Sequence, residues 1–142
     1  MERPPLGSSL LVALFVAATW GACTFAVAGL LAVLLDRDPI TTPAPVWVGL
    51  VGFAVAGVVV WRGVPLGTRA TVAWPTALAT TAAVYLVVGA AALLASFELF
   101  AEQATSPFVI AGAVLAGVAV LLTRLVMRRP PNAGLSRGGS GS

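Results

Sequence analysis

Four long apolar stretches, each uncharged through its centre, decide what this chain can fold into. They run from about Ser8 to Leu35, Val46 to Trp61, Ala70 to Phe97 and Pro107 to Met127. Crossing a bilayer takes about 20 such residues. Lipid offers backbone N–H and C=O groups no partner, so each stretch is expected to satisfy them internally as a helix. Composition agrees. Of 142 residues, 59% are hydrophobic and 9% charged, where a soluble domain carries about 25% charged residues. A chain this short has too little interior to hide that much apolar surface from water. The expected fold is an all-α integral membrane protein with four transmembrane helices in an up-down-up-down bundle. Residues 1–7 form a short cytoplasmic N-terminus, 8–127 the membrane domain, and 128–142 a disordered basic cytoplasmic tail.

Charge placement gives the direction. Every basic residue is Arg. Arg3, Arg62, Arg69, Arg124, Arg128, Arg129 and Arg137 fall on one side of the spans, and only Arg37 on the other. Asp36, Asp38, Glu98 and Glu102 take the Arg-poor side. Arg-rich loops stay in the cytoplasm, so both termini are expected there. Trp47, Trp61 and Trp74 fall at expected span ends, where an indole prefers to sit. The Ala-Gly-Val-Leu-Arg-Pro bias suits a GC-rich bacterial genome, so the expected location is the plasma membrane of such a bacterium. Ala26-Val27-Ala28 resembles a leader-peptidase site, but the apolar run continues to Leu35, and the segment reads as a span.

The pentapeptide FAVAG occurs at Phe25–Gly29 and again at Phe53–Gly57, with looser copies at Tyr85–Gly89 and Ala113–Gly117. An offset of 60 aligns the two halves without gaps. A tandem duplication of a helical hairpin would produce this, and so would chance among spans built from Ala, Val, Leu and Gly. The physical reading is contact surface. Helices in lipid associate by packing, and small residues let them approach. The expected packing positions are Ala22, Gly29, Gly52, Ala56, Gly57, Gly89, Gly112, Ala116 and Gly117, with Ala18, Ala22 and Ala26 as the face of the first span. Gly63-x3-Gly67 encloses Pro65 and reads as a cytoplasmic turn. Thr68 reads as a cap for the third helix, and Ser106-Pro107 as the start of the fourth.

Little chemistry is written in the residues. There is no His and one Cys, Cys23, which leaves no imidazole ligand, no internal disulfide and no expected cofactor or metal. Asp36 and Asp38 flank Arg37 with no further ligand near in sequence. No acid or base lies mid-span, where proton-coupled carriers need one. Small multidrug exporters share the four spans and the length but depend on a Glu in the first, which this chain lacks. The Arg residues flank apolar runs without stacking aromatics, so no nucleic-acid partner is expected. Arg62, Arg69, Arg128 and Arg129 are expected to meet anionic lipid headgroups. The third span offers a polar strip, Thr76, Thr80, Thr81 and Tyr85, on shared helix faces. The leading expectation is a non-enzymatic accessory or scaffold subunit. It would pack through small-residue faces against another membrane protein or against itself. The alternative is a transporter or pore for a weakly polar solute, using the Thr/Tyr strip.

Overall fold

The structure, a computed structural model, describes residues 6–127 apart from 39 and 42, with side chains from Leu10 onward. It is all-helical: α1 (Leu6–Leu35), α2 (Val46–Arg69), α3 (Trp74–Ala95), α4 (Phe97–Ala104) and α5 (Pro107–Met127). α1, α2, α3 and α5 are long and apolar enough to cross a membrane. The N-terminal residues before Leu6 and the tail from 128 onward lie outside the described residues.

α2 and α5 form the centre. Each packs against α1, against α3 and against the other. Their inward faces are single ridges at i+4 spacing. Val48, Gly52, Ala56, Val60 and Val64 are buried on α2. Phe108, Gly112, Ala116, Val120 and Arg124 are buried on α5. Each member of the second row is the first shifted by 60. The outer helices keep the same shift: Ala13 and Trp20 of α1 are buried, and so are Ala73, at the N-cap of α3, and Thr80 within it. Val60 and Val120, at 0% exposure, mark the middle.

Three sequence expectations are corrected at the helix ends. α2 does not stop near Trp61 but continues through Pro65 to Arg69, so the expected turn is helix. Pro65 removes one backbone donor, and close packing of Gly63, Val64 and Gly67, all buried, holds the segment helical. Thr68 therefore lies inside α2, where its Oγ1 donates to the Pro65 carbonyl at 3.1 Å. It does not cap α3, whose N-cap is Ala73. The third apolar stretch is not one helix to Phe97. α3 ends at Ala95, and Ser96, extended at φ −165°, starts α4 by accepting a 3.0 Å hydrogen bond on Oγ from the Leu99 amide.

α1 ends differently. Asp36 takes a positive φ of 46°, and the Arg37 amide reaches back to the Ala32 carbonyl at 3.2 Å. This is a Schellman-type stop, with Asp in the left-handed position that Asp tolerates better than most residues.

Candidate functional site

Of the expected packing positions, the central ones are used inside the bundle. Side chains of neighbouring helices seat directly on glycine backbone, because no Cβ intervenes. A Cβ on Gly52 would come 3.1 Å from the Ala91 Cβ, and one on Gly112 would come 3.0 Å from Thr24 Cγ2. At Gly117 it would collide with Thr81 Oγ1 and meet the Ala77 carbonyl at 3.1 Å. Ala56 and Ala116 are fully buried in the same cluster. Gly89 is half-buried, with Phe100 of α4 over it.

The remaining positions are not packed inside the bundle. Ala18, Ala22 and Ala26 are exposed and do not form the inward face of α1. That face is Ala13, Trp20 and Gly21, flanked by Val16, Ala17 and Thr24. Gly29 is exposed and Gly57 half-buried, and a Cβ on either would meet nothing within 4 Å. Conversely, Gly63 and Gly67, placed by sequence in a turn, make two of the closest contacts in the fold. A Cβ on Gly63 would lie 2.5 Å from Thr80 Oγ1, and one on Gly67 would collide with Val120 Cγ1. Sequence pattern misses them because Gly-x-Pro-x-Gly is turn chemistry locally. Only the arrival of Thr80 and Val120 makes it a packing surface.

The polar strip is spent on internal contacts. Thr80 Oγ1 donates to the Thr76 carbonyl at 2.8 Å while resting on Gly63. Thr81 rests on Gly117. Tyr85 donates its hydroxyl to the Ala104 carbonyl at 2.6 Å, tying α3 to the end of α4. Two long-range bonds had no obvious sequence signal. The buried Trp20 indole donates to the Gly112 carbonyl at 2.9 Å. Arg124, 6% exposed, donates from a guanidinium nitrogen to the Thr71 carbonyl at 2.6 Å, closing the α2–α3 connection over the end of α5. Arg62 and Arg69 are both exposed at this end, with the Arg62 guanidinium 5.7 Å from the centre of the Trp61 ring. Arg128 and Arg129 lie outside the described residues.

At the opposite end, Glu102 Oε1 accepts from both the amide and the hydroxyl of Thr41, at 2.7 and 2.6 Å. The α1–α2 connection is thereby clasped to α4. Among the described residues, no three His, Cys, Asp or Glu gather as a metal site would require.

The outward residues of α1 are not scattered. Phe15, Ala18, Ala22, Phe25 and Gly29 are all exposed. Their 3-4-3-4 spacing lays them in one seam along the helix, the repeat that lets a second helix follow a first. Beside the seam a groove of about 470 Å³ runs between α1 and α2, with Ala18 and Ala22 on one bank and Ala54 and Gly57 on the other. Phe25 and Phe53, the aromatic heads of the two FAVAG copies, meet here with ring centres 4.8 Å apart, and Trp20 stacks behind Phe53 at 5.4 Å. Trp61 lines the same groove, and its Nε1 is buried without a hydrogen-bond partner among the described residues.

No family model matches the chain. No curated protein and no solved structure is similar to it.

Proposed function

We propose that the protein is a small multi-pass subunit of a membrane assembly, with no catalytic role, whose docking surface is the α1 seam with the α1–α2 groove. The seam carries this reading. α1 is the least covered span, with 17% of its apolar window buried against 39% for α5, yet the residues it turns outward include small ones that lipid does not require. Small residues on a helix surface in lipid let another helix approach closely. The occupant is a membrane helix of another protein or of a second copy.

The four spans run up-down-up-down, with both termini and the Arg-rich end cytoplasmic. Contact order supports the alternation of α2 and α3: Gly67 lies near Thr76, Gly63 touches Thr80, and Gly52 touches Ala91. Arg62 and Arg69 then face anionic headgroups of the inner leaflet, each contributing about 1 kcal/mol of attraction.

Filling the groove tests the docking surface. Ala22→Phe combined with Gly57→Leu leaves the bundle folded, because neither position is packed internally, and abolishes recovery of a stoichiometric partner after mild-detergent purification from native membranes. Loss of folding, or a partner retained at full ratio, contradicts it. A solute path along Thr76, Thr80, Thr81 and Tyr85 draws less support, since Thr80 and Tyr85 spend their hydroxyls on carbonyls within the fold. Solute flux in vesicles that Thr80→Val eliminates without unfolding the protein would revive it.

A further inference from the structure

A second cavity, of about 490 Å³, lies toward the acidic end of the bundle and shares Phe25 and Phe53 with the α1–α2 groove. Its walls come from four helices: Phe25 of α1, Gly49 and Leu50 of α2, Ala91 of α3, and Leu99 and Gln103 of α4. Ile40, beside the Thr41–Glu102 clasp, forms its lip. The volume lies within the range of about 300–1,000 Å³ typical of small-molecule sites. The wall is otherwise hydrocarbon and backbone, with Gln103 its one polar side chain.

We infer that this cavity holds one hydrocarbon chain of a bilayer amphiphile whose headgroup is not anionic. Two independent observations lead there. First, Phe25 and Leu50 line the cavity, are both exposed, and lie on the apolar stretches of α1 and α2, so that side of it faces hydrocarbon. An empty space there leaves its lining without dispersion partners, and the molecules beside it are lipid chains. Second, charge at that end is one-sided. Asp36 and Asp38 lie in the α1–α2 connection and Glu98 and Glu102 on α4, with Arg37 as the opposing charge. Glu102 and Thr41 hold the loop that bears Asp36 and Asp38 down against the cavity lip. A headgroup seated above the chain meets net negative charge, which repels phosphatidylglycerol and tolerates a zwitterion.

The inference is independent of the docking role. Its test uses the full chain in vesicles of phosphatidylethanolamine and phosphatidylglycerol in equal amounts, released into the gas phase for native mass spectrometry. One phosphatidylethanolamine should remain per chain, favoured at least about tenfold over phosphatidylglycerol. Gly49→Trp should lower that occupancy at least about tenfold by filling the space, since a Cβ at Gly49 meets nothing within 4 Å. Leu122→Ala, exposed on α5 and outside both the cavity and the seam, should leave it unchanged. Thermal unfolding of each variant checks folding, and Gly49→Leu is read if Gly49→Trp does not fold. Occupancy that ignores both Gly49 variants, equal retention of phosphatidylglycerol, or no retained lipid overturns the inference.

Discussion

The two hairpins, α1–α2 and α3–α5, bury one matching row of positions and close their ends by different means. Shifted by 60, the ridge Val48-Gly52-Ala56-Val60-Val64 becomes Phe108-Gly112-Ala116-Val120-Arg124, and both rows are buried. The acidic-end connections share no such likeness. The first hairpin stops α1 with Asp36 at positive φ and returns through the connection containing Pro43 and Pro45. The second turns at Ser96 into α4. The lesson is that a matching ridge at i+4 spacing is buried in both hairpins, with Val at one position of the first where the second has Arg. The ends differ, and one end connection is anchored to α4 through Thr41 and Glu102. The likeness also has limits within the spans. Gly117 supports Thr81 directly, while its counterpart Gly57 opens onto the groove.

That limit gives the largest expected effect. Gly117→Leu should destabilise the bundle by about 3 kcal/mol, at the upper end of overpacking costs, because one of the atoms in the way is the Ala77 backbone. Gly57→Leu should stay within about 0.5 kcal/mol. Reversible unfolding in mixed micelles reads both, and equal effects would mean that the hairpins are packed alike after all. Next in size is the pair Trp20 and Thr80. Trp20→Phe removes an interhelical bond to Gly112 and should cost about 1 kcal/mol. Thr80→Val removes a bond to its own helix and should cost less than about 0.5 kcal/mol, read in the same assay. The last effect is local. Glu102→Gln should weaken the clasp by about 1 kcal/mol and speed hydrogen exchange at the Thr41 amide about fivefold. Global unfolding should stay unchanged. A global shift would make the clasp part of the core.

Sequence alone made the spans legible because lipid imposes a length and a composition that few other environments do. It also marked Gly52, Ala56, Gly112, Ala116 and Gly117 as contacts, since small residues in such spans have few other uses. Direction around a helix was not legible. Ala18-Ala22-Ala26 and the true inner face of α1 carry similarly apolar residues, so hydrophobic periodicity cannot choose between them. A soluble helix would declare its inner face by contrast with polar residues, and a helix in lipid has no such contrast. The helix through Gly63, Pro65 and Gly67 was hidden for another reason. Its local turn chemistry is overridden by Thr80 and Val120 arriving from elsewhere in the chain. The α1 seam emerged only once those inner positions were assigned.

Closure of the two hairpins on one another through α2 and α5 is most directly tested by a disulfide. An ideal Cβ at Gly67 lies 3.9 Å from the Val120 Cβ, close to the spacing of about 3.8 Å that a disulfide prefers. With Cys23→Ser to remove the native thiol, Gly67→Cys with Val120→Cys should cross-link within one chain when membranes are oxidised mildly. Gly57→Cys with Val120→Cys should not. Efficient cross-linking of the first pair alone would place the end of α2 against α5. Failure of the first pair to cross-link in a folded protein would contradict that closure and return the Gly63–Gly67 segment to a turn.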